Sequence, residues 1–150
     1  MSRAWYELND PSGVASPALL VYPGRVAENI RRMVALIGDV NRVRPHVKTH
    51  KLGEIVRMHL AAGVKQFKAA TIAEAEMCAA SGAPDVLLAY QPVGPNIARF
   101  IQLVRLFPAT RFSAVTDDEA ALRAMSGAFS RAGIQVELLV DIDCGMRRTG

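Results

Sequence analysis

At 150 residues, 51% of them apolar and 21% charged, the chain can build one domain with a real core but not two, and it is too apolar for a disordered segment. No apolar run approaches the roughly 18 residues of a membrane helix, and the opening MSRAWYELNDPSG lacks an apolar signal region, so neither a membrane span nor a secretory leader is expected. The net charge of +4 comes from scattered basic residues without aromatic platforms, which argues against nucleic acid and suits anionic small molecules, while two cysteines make no disulfide framework and point to the cytoplasm.

An extended stretch at Ala18–Tyr22 precedes apolar residues at Val26, Ile30, Met33, Val34 and Ile37, which are helical offsets closed by Gly38. Across Asn41–Lys48 the chain alternates, with Val43, Pro45 and Val47 against Arg44, His46 and Lys48; this predicts a strand with one strongly polar face. Leu52, Ile55, Val56 and Leu60 predict a second helix stopped by Gly63, and Val64–Ala70 a second strand. Thr71 with Glu74 makes a capping box for a helix through Met77 to Ser81, ended by Gly82. Val86–Tyr90 reads as a short buried strand, Pro95 opens a helix carrying Ile97, Phe100, Ile101 and Val104, and Arg111–Val115 is the next strand. Thr116 with Glu119 forms a second capping box for a helix through Leu122, Met125 and Phe129, and Gln135–Asp143 is the last strand.

Five strands alternating with single helices imply a parallel sheet covered by helices. An open doubly wound sheet and a (β/α)8 barrel compete for this pattern. No strand is followed by the glycine fingerprint of a dinucleotide fold, and an open sheet would bury both faces of its strands. The polar faces Arg44-His46-Lys48 and Glu137-Asp141-Asp143 instead suit opposite walls of a barrel interior. A complete barrel needs about 250 residues, so the expectation is the N-terminal part of one, about five strands, in a chain belonging to a longer protein.

The densest polar segment, Arg44-Pro-His-Val-Lys-Thr-His-Lys51, falls at the carboxyl end of the first strand, where barrel enzymes keep their active sites. Lys48 would face inward, flanked by Arg44, His46 and Lys68. Cationic neighbours and desolvation would favour a neutral, nucleophilic amine able to form a Schiff base with an aldehyde; the alternative is a lysine paired with an inward carboxylate such as Asp141. His46 and His50 straddle the strand end and need not converge on a metal. His50 is a candidate for a contact near a bound cofactor or for a supporting role, and Thr49 either orients the lysine or caps the next helix. His59 and Cys78 read as packing residues, Cys144 as a loop thiol, and Gln91 and Thr116 as turn-shaping residues at strand ends.

RPHVKTHK resembles the cofactor-lysine motif of the D-threonine aldolase and D-serine dehydratase family. FKAATIAEAE (Phe67–Glu76), the Tyr90-Gln91-Pro92 turn and DIDCGMRRTG (Asp141–Gly150) follow in the order that family shows, so the likeness runs from about Ser16 to Gly150. It implies a pyridoxal 5'-phosphate (PLP) enzyme whose N-terminal domain is an alanine-racemase-like barrel. Lys48 matches the lysine that binds PLP, and Arg148 an arginine near the cofactor's phenolic oxygen. Asp141 departs from the racemase pattern, which has a modified lysine there, and is expected to pair with basic neighbours. The implied activity is a lyase acting on D-3-hydroxy amino acids, foremost a D-threonine aldolase giving glycine and an aldehyde. A D-serine dehydratase, a 3-hydroxyaspartate lyase and a non-catalytic PLP-homeostasis protein are the alternatives. The family also implies a homodimer, and a divalent metal whose ligands belong to a C-terminal β domain outside residues 1–150. These 150 residues alone are therefore expected to be inactive.

Overall fold

The computed structural model describes residues 4–150. Five helices, α1 (Pro23–Ile37), α2 (Gly53–Ala61), α3 (Ile72–Ala80), α4 (Pro95–Leu106) and α5 (Glu119–Ala132), alternate with four strands, β1 (Gln66–Ala69), β2 (Asp85–Leu88), β3 (Arg111–Thr116) and β4 (Glu137–Val140). Their ends follow the local chemistry of the sequence. Prolines occupy the first turns of α1 and α4, where the missing N–H has no partner to lose. Gly38 and Gly133 take left-handed backbone after α1 and α5 and donate their N–H groups back to Val34 and Phe129.

The strands pair in parallel in the order β1-β2-β3-β4. Sequential order without a reversal is the winding of a barrel wall; a doubly wound sheet reverses direction at its switch point. The register aligns Phe67, Val86 and Phe112 across the sheet, then Ala69, Leu88 and Ala114. These residues are buried in one core with Ala75, Cys78, Phe100, Leu103, Met125 and Phe129 from the helices. Phe100 anchors it, edge-on to Phe112 at 6.1 Å and tilted against Phe129 at 6.2 Å. The alternate residues, Lys68, Asp85, Leu87, Arg111, Ser113, Val115, Glu137 and Leu139, lie on the opposite face, as the period of two requires.

The Asn41–Lys48 segment is not the predicted strand. Val40–Arg42 and Val47–Thr49 are 3-10 turns, and one parallel bridge, His46 to Lys68, with the Lys68 N–H donating to Pro45 O at 2.9 Å, is its whole share of the sheet. Local acceptors take its donors: the Lys48 N–H goes to His46 Nδ1, and the His50 and Lys51 N–H groups both go to Val47 O. Pro45 has no N–H to give, and local partners of this kind compete with a ladder. The segment still occupies the wall position beside β1. Ala18–Tyr22 joins no strand.

The second capping box is also corrected. Asp118, not Thr116, caps α5, accepting from Ala121 N at 2.7 Å, while Thr116 ends β3 as a buried residue. With Thr, Asp, Asp and Glu in succession, the carboxylate one residue before the helix outcompetes the hydroxyl still held in the strand.

Candidate active site

Lys48 is carried by the 3-10 turn Val47–Thr49 at the carboxyl end of the first wall segment. Val47 is fully buried and roots the turn in the core, whereas Lys48 is exposed. Among the described residues its ammonium makes no ion pair, with Asp141 or any other carboxylate, so the expected burial of the amine is absent. His46 accepts the Lys48 N–H at 3.3 Å through Nδ1. Burial, reinforced by the charges of Lys48 and Lys68, pushes the His46 imidazole below its ordinary pKa. Lys48 on the turn and Lys68 on β1 thus act on a neutral imidazole, a site with surplus positive charge.

Arg44 is drawn away from this group. Its guanidinium bonds Asp85 Oδ1 at 2.6 Å and Phe67 O at 3.3 Å; Arg111 bonds the other Asp85 oxygen at 3.3 Å and reaches on to Glu137. Asp85, Arg111 and Glu137 are the first residues of their strands, so the four charges form a row across the amino-terminal edge of the sheet. This row links the first wall segment to the last along one edge, while Arg44 and Glu137 keep wall positions four strands apart.

His50 is half-buried and turned toward α2. Its ring stacks on His59 at 6.3 Å and its Nδ1 accepts the Leu52 N–H at 3.1 Å. Burial, then His59, lowers its pKa; burial alone lowers that of His59, whose Nδ1 lies 2.9 Å from Ile55 O. Thr49 is exposed and does not cap α2, whose first position follows Leu52 without a side-chain cap. Burial pushes the Cys78 thiol up to about 12, as befits packing, and Cys144 is exposed.

Two small cavities lie at the carboxyl ends of the later strands. One, about 210 Å³, is lined by Tyr90, Gln91, Thr116, Asp117, Asp141 and Thr149 among others. Here Thr116 donates to Gln91 Oε1 at 3.0 Å, and the Asp117 N–H reaches the same oxygen at 3.3 Å. The second, about 240 Å³, holds Arg148 with Asp141, Asp143 and Cys144. Its loop is shaped by Asp143, whose Oδ1 accepts from Gly145 N at 2.8 Å and Arg147 N at 2.9 Å, holding Arg147 at a φ of +55°. Asp141 makes no ion pair among the described residues, against the expected pairing; its N–H continues the ladder to Thr116 O at 2.8 Å. Lys48 lines neither cavity. Lys48 and Arg148 stand four strand positions apart, which is half the circuit of an eight-stranded barrel.

Two residues beside the lysine turn were read in the sequence only for other roles. Lys51 ends the polar segment with a φ of +51°, and its ammonium meets the buried carboxylate of Glu74. Thr71 accepts from Glu74 N as a capping box predicts, but the Glu74 side chain bonds Ala70 N at 2.7 Å, not Thr71 N. Among the described residues no group of three or more His, Cys, Asp or Glu side chains could hold a metal ion, and no helix is long and apolar enough to cross a membrane.

The family model described as alanine racemase, N-terminal domain, matches residues 21–150. The chain belongs to this family. Its four-stranded sheet and helices are the N-terminal part of the alanine-racemase-like barrel. Within the family it is 32% identical over 139 residues to D-threonine aldolase from Arthrobacter sp, covering 91% of this chain and 36% of that protein. It is 29% identical over 136 residues to D-threo-3-hydroxyaspartate dehydratase from Delftia sp. (strain HT23), covering 90% and 35%. The crystal structure of D-threonine aldolase from Filomicrobium marinum superposes with a TM-score of 0.81 at 30% identity, covering 91% of this chain and 36% of the other. The alanine racemase N-terminal domain chain thus spans little more than a third of the length of these relatives.

Proposed function

We propose that this chain forms the lysine-bearing part of a PLP-dependent lyase acting on D-3-hydroxy amino acids, most directly a D-threonine aldolase, and that Lys48 holds the cofactor. The observation that carries the reading is the Lys48 turn: an exposed amine with no carboxylate partner among the described residues, at the carboxyl edge of a barrel wall, near Lys68 and a neutral His46. An amine of this kind is free to bond an aldehyde, and the surplus positive charge suits an anionic ligand. Arg148, on the wall half a circuit from Lys48, is the cation available to the cofactor's phenolic oxygen. Bound there, PLP would supply an electron sink for breaking a bond at the amino acid's α-carbon.

This chain's own residues divide the remaining work. His46 holds the Lys48 N–H and so fixes the direction from which the amine leaves the turn. Gln91 and Thr116 hold each other at the floor of the neighbouring cavity, so neither is free to reorient. Similarity to the Delftia dehydratase supports a second reading, elimination of the β-hydroxyl with release of ammonia. The substrate, a homodimeric assembly, a cytoplasmic address and a metal held by residues outside 1–150 all belong to this proposal.

Products separate the readings. Full-length protein given D-threonine and PLP is expected to release glycine and acetaldehyde in equal amounts, with no ammonia, and Lys48→Ala to release neither. Ammonia without glycine would replace the aldolase with the dehydratase. Turnover that survives Lys48→Ala would overturn the assignment of the lysine.

A further inference from the structure

Glu74 has an unusual position for a carboxylate. Its side chain is only 4% exposed, yet it belongs to the first turn of α3, one element beyond β1. Burial alone would raise its pKa. The hydrogen bond from the Lys51 ammonium and the Ala70 N–H at 2.7 Å outweigh that and hold it below the ordinary range, so it is buried as an anion. A helix cap does not require this: Thr71 already satisfies the Glu74 N–H at 3.1 Å. The excess of the arrangement lies in Lys51, whose side chain is 62% exposed but whose ammonium is turned inward to Glu74.

Lys51 is also the residue with the unfavourable backbone. Its φ of +51° is left-handed, a conformation that a side chain with a Cβ rarely adopts, and it closes the turn by donating its N–H to Val47 O at 2.9 Å. That bond wraps the backbone around Lys48. A strained closure persists when its surroundings over-determine it; buried Val47 roots one end of the turn, and the Lys51 side chain meeting Glu74 holds the other. We propose that Glu74 is a positioning residue for Lys48: through Lys51 it clamps the lysine turn to the β1–α3 corner, so that the amine is presented at a fixed height over the barrel edge. The proposal rests on the reading of Lys48 as the cofactor lysine. Lys51 acts through Lys48 and touches no reacting atom.

Two variants in the full-length protein test it. Lys51→Met removes the exposed half of the clamp and leaves the α3 cap intact; Glu74→Gln keeps an acceptor for Ala70 N and removes the charge. The first readout is amide hydrogen exchange without cofactor, in peptides spanning 47–52 and, separately, 72–80. The second is PLP uptake followed by its visible absorbance. Both variants are expected to speed exchange in 47–52 and weaken PLP uptake by about three- to tenfold, the size expected for one half-exposed charged contact whose loss strands a buried carboxylate. Lys51→Arg, which keeps a cation, is expected to restore most of both.

If Lys51→Met leaves exchange in 47–52 and uptake unchanged, and Glu74→Gln loosens only 72–80, Glu74 is a structural cap and the proposal is overturned. Lys48→Ala runs beside these variants. Uptake indifferent to Lys48→Ala would overturn the cofactor assignment and the proposal with it. Uptake that needs Lys48 but ignores Lys51→Met and Glu74→Gln overturns the proposal alone.

Discussion

Arg44 and Asp85, 41 residues apart in sequence, meet at 2.6 Å across the amino-terminal edge of the sheet, and Arg111 grips the second oxygen of the same carboxylate. The contact ties the foot of the lysine-bearing segment to β2, past β1. Because that segment has a single bridge to the sheet, this ion pair and the buried Val43 and Val47 hold it in the wall position.

Asp85→Ala is therefore expected to destabilise the fold by about 1–3 kcal/mol, since it leaves the half-buried Arg44 guanidinium without its carboxylate, while the exposed Arg111 keeps Glu137. Urea unfolding at two salt concentrations checks this. The midpoint should fall in the variant, and salt should change the difference little, because pairs shielded from solvent are weakly screened. An unchanged midpoint would mean that the row of charges is solvated and contributes nothing.

The pH dependence of stability has a definite sign. All three histidines have their pKa lowered in the fold, mainly by burial. As pH falls, the unfolded chain binds protons first, near the ordinary histidine value of about 6.5. Stability held above that value is lost as pH falls through it toward the lowered folded values. Glu74, also lowered, adds a further loss below the ordinary glutamate range. Unfolding midpoints should hold level from about pH 8 to about pH 7 and decrease from there to about pH 5; a flat or rising profile would contradict the neutral state of the histidines.

Phe100→Ala removes the ring that joins Phe112 of β3 to Phe129 of α5. A fully buried aromatic of this kind is expected to cost about 3–5 kcal/mol, which is a large part of a small domain's stability. Thermal unfolding by circular dichroism should show a much lower midpoint or no cooperative transition. A shift of only a degree or two would mean that the α4–α5 corner is loosely packed.

The alternation of strands and helices was legible because the elements carry their own periods and stops: Gly38, Gly63 and Gly82 follow helices, and Pro95 opens one. The first strand misled for a physical reason. Arg44-His46-Lys48 has a strand's alternation, but a period of two states only which side a residue would take if the backbone were paired. His46 and Val47 accept the local N–H groups before a neighbouring strand can. The Lys48 turn is legible as a motif, whereas the contact of Lys51 with Glu74 is not. Glu74 satisfied a capping pattern already, and nothing in the spacing of Lys51 and Glu74, 23 residues apart, announces that they touch. Arg44 drew the opposite error: its place in the cationic string suggested company for Lys48, when Asp85 holds it at the amino-terminal edge of the sheet.

The central claim is that Lys48 is the residue that bonds the cofactor, and chemical trapping tests it most directly. Full-length protein would be incubated with PLP, reduced with borohydride, digested and mapped by mass spectrometry, with Lys48→Ala alongside. The account predicts a visible absorbance on adding PLP, a pyridoxyl group on the peptide containing Lys48, and loss of both in the variant. A pyridoxyl group on Lys68, Lys51 or another lysine at equal yield in both proteins would contradict it.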